Sequence, residues 1–358
     1  MVQPNDLCKR IGSMDQRFFE KDREEIDGSE RECRARTMPV GPSPFRVDAP
    51  PLPRAKFADP RVTAAGEPRA HVPLVTLDTL WFNTGTLCNL ACANCYIESS
   101  PTNDALIYLT AAEVERFLGE IGDGALGTRE IGFTGGEPFM NPEIVAMLGA
   151  ALDCGHEVLV LTNAMKPMRR HEVALLALRA RHGGRLTLRV SLDHHTGAVH
   201  ERERGARTWQ PALDGLQWLA ANGFAIAVAG RQLAAVPESA ARAGYAALFA
   251  REGLAIDAHD PAQLVLFPEM DAAADVAEIT TSCWGILGKS PAEAMCATSR
   301  MVVHRRGEEH ARVAACTLIP HDPGFDLGRT LAEARGAVAL NHPHCARFCV
   351  LGGASCSR

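Results

Sequence analysis

From Val72 to Phe267 the chain alternates between two kinds of apolar pattern, and this restricts its fold more than any other feature. Short apolar runs occur at Val72–Phe82, Glu130–Thr134, Glu157–Thr162, Leu186–Leu192, Ala225–Ala229 and Leu264–Phe267. Between them, apolar residues recur at helical spacing over Ala111–Ile121, Pro142–Leu152, His171–Arg181, Gln210–Ala221 and Glu238–Glu252. Strands joined through helices lie parallel, because a tight hairpin cannot hold so long a connection, and such crossovers are right-handed. Thr110 and Asn141 stand where helix N-caps belong, the second with Pro142 at the first helical position. Asn222-Gly223 and Gly253 stop the fourth and fifth helices. These units predict an α/β fold, a partial (β/α)6 TIM-like barrel of parallel strands, with its chemistry at the carboxyl ends of the strands.

The 358 residues allow a barrel and an appendage. Residues 1–70 read as a disordered or irregular N-terminal extension. Lys21–Arg36 is dense in charge and Pro39–Pro60 in proline, and neither offers an apolar face. Met38 is an alternative start. Residues 71–270 form the barrel core and 271–358 a cysteine-rich extension. A formal net charge of −6 argues against a nucleic-acid binder working through phosphate contacts. The mixed-sign run Arg202–Arg207 reads as a solvated helix end. With no apolar run of membrane length and no signal-like start, no membrane partner is expected. Twelve cysteines without an export signal point to metal ligation in a reducing compartment, by default the cytoplasm. Cys8 and Cys33 stand alone and read as unliganded, and Cys154 reads as a buried inert thiol.

The ends of the predicted strands carry the polar residues. After the first come Cys88, Cys92 and Cys95, spaced C-x3-C-x2-C and followed by Tyr96. Three close thiolates hold three irons of a cubane cluster and leave the fourth open. Structural zinc would show paired C-x2-C knuckles and a fourth ligand, and His71 is too far upstream to serve. A redox disulfide needs only two cysteines. After the second strand come Gly135, Gly136, Glu137 and Pro138, a turn in which paired glycines let backbone approach a ligand and Glu137 can accept from an ammonium group. Thr162 and Asn163 follow the third strand, and Ser191 and Asp193 sit at the end of the fourth.

Together these motifs resemble the radical S-adenosylmethionine superfamily over roughly Leu74 to Phe267. Cys88, Cys92 and Cys95 match its cluster motif, and Gly135-Gly136-Glu137-Pro138 its amino-group-binding turn. Thr162-Asn163 and Val190-Ser191-Leu192-Asp193 resemble segments that approach the bound nucleoside and methionine. The resemblance implies a [4Fe-4S] cluster whose open iron chelates S-adenosylmethionine, reductive cleavage to a 5′-deoxyadenosyl radical, and hydrogen abstraction from a substrate. It also implies a reducing partner such as flavodoxin or ferredoxin. One departure stands out: the residue before the third cysteine, commonly aromatic in the superfamily, is Asn94.

After Phe267 six cysteines remain: Cys283, Cys296, Cys316, Cys345, Cys349 and Cys356. Met301–His304 and Val313–Thr317 alternate as a hairpin around Arg305–Glu308, and a helix is expected near Thr330–Arg335. This layout resembles the SPASM and twitch extensions, which carry auxiliary four-iron clusters. Cys296 and Cys316 fit the hairpin pair, and Cys345 and Cys349 the tail pair, although the tail spacing is C-x3-C where C-x2-C is usual. Cys356 is an alternative to Cys349, Cys283 is a further candidate, and zinc in the same cage is the other reading.

His194, His195 and His200 form no natural metal site, since adjacent residues of an extended chain point apart. With Glu201, Arg204 and Glu269 they are candidates for substrate contact. Trp209, Trp218 and Trp284 read as core or interface. The expected function is a radical enzyme that oxidatively modifies a small metabolite or a peptide, with the lack of a separate peptide-docking domain leaning toward the metabolite. A non-catalytic iron–sulfur or zinc sensor or scaffold is the rival.

Overall fold

The computed structural model describes residues 43–124 and 126–355. The regular elements are β1 (His71–Val72), β2 (Thr79–Asn83), α1 (Ala111–Gly124), β3 (Glu130–Thr134), α2 (Ile144–Asp153), β4 (Glu157–Thr162), the single turn α3 (Lys166–Arg169) and α4 (Glu172–His182). They continue as β5 (Leu186–Ser191), α5 (Gly197–Arg204), α6 (Trp209–Ala221), β6 (Ala225–Arg231), α7 (Glu238–Arg251), β7 (Leu264–Phe267), α8 (Cys283–Leu287), β8 (Ser299–Val303), β9 (Arg312–Ala314) and β10 (Val338–Ala339). Strands β2 to β7 pair in sequence order, each parallel to the next. The expected parallel α/β architecture is therefore present.

Side-chain alternation assigns the two faces of the sheet. Leu80, Phe82, Ile131, Phe133, Val158 and Val160 turn outward into a core shared with the helices. Trp81 and Leu159 turn the other way, into a second core with Met301, Val303 and the C-terminal segments. Gly132, the register partner of Trp81, leaves room for the indole, because a Cβ there would lie 2.3 Å from the ring.

Two expected boundaries move. The run Val72–Phe82 is not one strand: Pro73 donates no backbone N–H, so β1 ends before it and pairs antiparallel with β10. The segment beyond Phe267 does not leave the sheet. β8 adds to β2 in parallel, with Leu80 opposite Arg300, and β9 continues antiparallel. The β8–β9 hairpin thus extends the barrel sheet, since β2 would otherwise present an unpaired edge. The helix expected at Thr330–Arg335 shrinks to a 3₁₀ turn at Glu333–Arg335.

Capping follows local chemistry. Thr110 Oγ1 accepts from the Glu113 N–H at 3.2 Å and Glu113 accepts from the Thr110 N–H at 2.8 Å, a reciprocal capping box. Asn141 lies upstream of its expected cap position, because α2 starts at Ile144. Its Oδ1 accepts from Glu143 N–H, while its Nδ2 donates to the Thr84 and Leu109 carbonyls inside the protein.

Residues 43–70 are irregular, one of the two forms expected of them, and they are packed. Phe45 and Phe57 are buried, and Arg69 is wholly enclosed. The Arg69 guanidinium pairs with Glu278 at 2.6 Å and donates to the carbonyls of Asp59, Val62 and Leu340. It joins this segment to the C-terminal extension. The expectations for residues 1–42, including Cys8, Cys33 and Met38, and for Cys356, lie outside the described residues. Cys154 packs partly buried against the helix-side core and is disulfide-bonded, not the free thiol expected.

Candidate functional site

The three cysteines Cys88, Cys92 and Cys95 occupy the loop that leaves the carboxyl end of β2. This loop lies against the turn after β3. Gly136 N–H donates to Gly85 O at 2.8 Å, and Glu137 N–H to Leu87 O at 3.2 Å. A Cβ on Gly136 would sit 2.2 Å from Leu87 O, and one on Gly135, whose φ is +146°, 2.6 Å from Gly85 O. The paired glycines therefore admit the close approach of the cysteine loop.

Glu137 is buried and ties three strand ends together. Its Oε1 accepts from Thr162 Oγ1 at 2.8 Å and from Phe139 N–H at 3.2 Å, and its Oε2 accepts from Asn163 N–H at 2.8 Å. Burial pushes its carboxyl up to about 7, against the pull of those three donors. Asn163 Nδ2 donates to Asn89 Oδ1 at 2.8 Å, which carries the link back into the cysteine loop. Cys88 Sγ accepts from the Leu90 N–H at 3.4 Å.

Beneath the loop lies a charged quartet of which sequence reading named Asp193 and Arg204, in other roles, and missed Glu203 and Arg231. Asp193 is bound by Arg204 at 2.7 and 3.2 Å and lies 3.4 Å from Arg231. Arg231 lies 3.4 Å from Glu203, which is fully buried. Glu203 accepts from Asn94 N–H at 2.9 Å and from Ser43 Oγ, and its carbonyl accepts from Ala93 N–H. Arg231 Nη2 donates to the Asn94 carbonyl at 3.0 Å. The run Arg202–Arg207 is thus a solvated helix end only in part: Arg202 and Arg207 are exposed, while Glu203 and Arg204 turn inward to seat the cysteine turn. Only the i, i+1 pairing of Glu203 with Arg204 hinted at this. Burial opposes ionisation of Asp193, yet Arg204 and then Arg231 hold its carboxyl down at about 2. Asn94, in the aromatic position of the superfamily, donates through Nδ2 to Met270 O at 2.7 Å and Phe45 O at 3.4 Å. It fastens the loop to the segments on either side of the barrel core.

The donor chemistry fits an iron–sulfur cluster. Burial pushes Cys88 well above the ordinary thiol range and Cys92 to about 12, and neighbouring thiolates add to both. Such thiols shed their protons readily only when a cation takes the charge. Among the described residues no three His, Cys, Asp or Glu side chains converge on one metal ion. A cubane takes each thiolate on a different iron, so its ligands stand further apart than those of a single ion.

Four of the expected second-site cysteines share one cavity. Cys296, Cys316, Cys345 and Cys349 line it together with His344 and apolar side chains that include Leu318, Ile319 and Phe325. Burial raises Cys316 and Cys345 well above the thiol range, and each is pushed further by others of the four. Cys345–Leu351 is a π-helix, whose wide turn carries Cys345 and Cys349 to the same cavity and accounts for the C-x3-C spacing. Cys283 does not line this cavity; its sulfur faces Thr280, whose N–H lies 3.3 Å away. His344 was not singled out by the sequence. It is buried, desolvation pulls its imidazole down to about 3, and its Nδ1 has no partner.

The remaining candidates are dispersed. Ser191 is half-buried at the end of β5. The rings of His194 and His195 stack 4.0 Å apart, while His200 is fully buried edge-on to Trp209. Glu201 Oε1 accepts from Trp209 N–H at 3.3 Å, and Glu269 Oε1 from Ala234 N–H at 3.1 Å. Trp218 packs against the helix-side core and Trp284 against the second core.

A parallel α/β sheet with a three-cysteine loop after its first parallel strand and a glycine-rich turn after the next defines a class. Residues 82–231 match the Radical SAM superfamily, in agreement with the resemblance carried by the cysteine loop and the glycine turn. The antilisterial bacteriocin subtilosin biosynthesis protein AlbA of Bacillus subtilis (strain 168) is 31% identical over 146 residues, 41% of this chain. That match spans 30% of AlbA, so the greater part of that relative has no counterpart in the matched region. Streptococcus suis SuiB bound to precursor peptide SuiA aligns with a TM-score of 0.54 at 12% identity, covering 74% of this chain and 66% of SuiB. The structure of histidine-tagged anSMEcpe with bound AdoMet aligns with a TM-score of 0.51 at 13% identity, over 72% of this chain and 79% of that one. These two likenesses establish the partial-barrel fold. Among the described residues no helix is long and apolar enough to cross a membrane.

Proposed function

We propose that this chain is a radical S-adenosylmethionine enzyme that oxidatively modifies a peptide, with one cluster on Cys88, Cys92 and Cys95 and a second in the C-terminal cavity. The observation that carries the reading is the convergence of Cys296, Cys316, Cys345 and Cys349 on one cavity behind a barrel that already bears the three-cysteine loop. Bound there, the first cluster supplies reductive cleavage of S-adenosylmethionine to a 5′-deoxyadenosyl radical. The protein's share is positioning. Gly135, Gly136 and Pro138 set the turn against the cysteine loop, and Glu137, Thr162 and Asn163 lock the neighbouring strand ends. Ser191 stands at the rim, and Asp193 supports the floor through its arginines. Four thiolates would complete a second cluster without an open iron, which suits taking an electron from the substrate radical, while a reducing partner such as flavodoxin or ferredoxin would supply the electron for the first cluster.

A peptide is favoured over a metabolite because AlbA is named for bacteriocin biosynthesis and SuiB is seen with a precursor peptide. Domain limits of 71–270 and 271–358 belong to the same reading, as does a reducing, cytoplasmic compartment, since both clusters need reduced thiols.

Anaerobic reconstitution, reduction and assay for 5′-deoxyadenosine test the proposal. Cleavage should appear, and changing Cys88, Cys92 and Cys95 together to Ala should abolish it while the second site keeps its iron. A fully loaded protein that cleaves nothing with several reductants refutes the enzyme reading. Loss of all iron from the folded triple variant refutes the two-site division.

A further inference from the structure

We propose that His344 donates a hydrogen bond from Nδ1 to a sulfur of the cluster held by Cys296, Cys316, Cys345 and Cys349, and so raises that cluster's reduction potential. The inference rests on the second-cluster reading above.

Three observations carry it. His344 lines the same cavity as the four cysteines and is only 6% exposed. Its Nδ1 is buried without a hydrogen-bond partner, a state that costs roughly 1–3 kcal/mol when nothing compensates it. The ring is also held in place. His344 N–H donates to His342 Nδ1 at 3.1 Å, the two rings stand 4.8 Å apart, and His342 packs edge-on to Phe325. The residue directly precedes Cys345 and caps the π-helix that presents Cys345 and Cys349. Its position is therefore coupled to two of the four thiolates.

The chemistry selects a donor over a ligand. Four thiolates already fill the coordination of a cubane, so the histidine meets sulfur and not iron. Thiolates and sulfides accept hydrogen bonds, so the tautomer that satisfies Nδ1 carries its proton there. Reduction adds negative charge to the cluster, and an N–H aimed at sulfur stabilises the reduced state more than the oxidised one. The other cavity-lining side chains besides the cysteines are apolar, and the Leu318 N–H, 3.4 Å from Cys316 Sγ, serves that sulfur and leaves Nδ1 to another.

The test uses the full chain carrying Cys88, Cys92 and Cys95 as Ala, so that the second cluster alone gives the signal. His344→Phe should shift the one-electron reduction equilibrium roughly tenfold toward the oxidised form, about 59 mV lower in potential. His344→Asn, which restores an N–H near the Nδ1 position, should recover most of that shift. Pulsed paramagnetic resonance after exchange into heavy water should show, beyond the coupling of the Leu318 N–H on Cys316 Sγ, a further exchangeable deuteron near the cluster in the parent and in His344→Asn that is absent in His344→Phe. An unchanged potential in His344→Phe with full iron overturns the proposal. Loss of iron on His344→Phe that His344→Asn does not prevent overturns it too, by making His344 a ligand. A second site that takes zinc, or no iron at all, in the parent is a different failure: the iron assay then sinks the second-cluster reading before any potential is measured.

Discussion

Arg231→Met is the sharpest test of how the cysteine turn is seated. The arginine stands 3.4 Å from both Asp193 and Glu203, donates to the Asn94 carbonyl at 3.0 Å, and lies over the Phe45 ring at 5.5 Å. Its side chain is 8% exposed and that of Glu203 is fully buried, so solvent does little to screen the group. Methionine keeps most of the volume and the contact with Phe45 but leaves two buried carboxylates facing one guanidinium. Removing one partner of a buried ion pair costs about 3–5 kcal/mol, because the abandoned charge keeps its desolvation penalty. For a domain of this size each kcal/mol moves the midpoint by about 2–4 °C, so a loss of roughly 6–20 °C follows. The loop bearing Cys92 and Cys95 loses its floor at the same time. Thermal unfolding of anaerobically reconstituted protein, with an iron count before heating, reads both effects. Iron should fall by the share of the first site while the second site stays filled. Adding Glu203→Gln to Arg231→Met removes the stranded charge and should recover part of the midpoint. A midpoint within about 2 °C of wild type and a full iron complement in Arg231→Met would refute the reasoning.

Three further outcomes are expected. Asp193 is held at about 2 against an ordinary 3.8, so its ion pairs contribute about 2 kcal/mol that is present above pH 3.8 and lost as pH falls toward 2; a carboxyl-carbon resonance titration should place its midpoint near 2, and Arg204→Met should move it up. Gly136→Ala puts a Cβ 2.2 Å from Leu87 O, a backbone atom that cannot swing aside; it should destabilise by about 1–3 kcal/mol and lower iron at the first site, as urea unfolding and iron assay would show. Cys283→Ala should leave the iron of the second site unchanged, because that sulfur faces Thr280 and lies outside the cavity. A drop by a full cluster would restore it to the ligand set.

Much of the site was legible because ligand chemistry is local. The three thiolates of the first loop sit within eight residues, and the Gly-Gly-Glu-Pro turn is contiguous. The second set was legible only by analogy, since Cys296 and Cys345 are far apart in the chain. Glu203, Arg231 and His344 were invisible for a different reason. A charged residue on a polar helix reads as solvated unless something covers it, and what covers Glu203 comes from Ser43, Asn94 and Arg231 in three other segments. The hairpin misplacement has the same origin: alternation in Met301–His304 announces a strand, yet nothing local states that its partner is β2, more than 200 residues earlier.

By itself, then, the sequence determined the alternation that makes a parallel sheet, the loop that carries the three thiolates and the set of cysteines available for a second site. Those are consequences of period, turn chemistry and residue type, which act over a few neighbours. Tertiary structure decided that the glycines admit the chain's own loop, that β8 completes the sheet edge, that a neutral quartet of buried charges seats the cysteine turn, and that His344 faces the second cavity. Each of these depends on burial by distant segments, and desolvation is the term that turns an ordinary surface charge or imidazole into a structural or functional one.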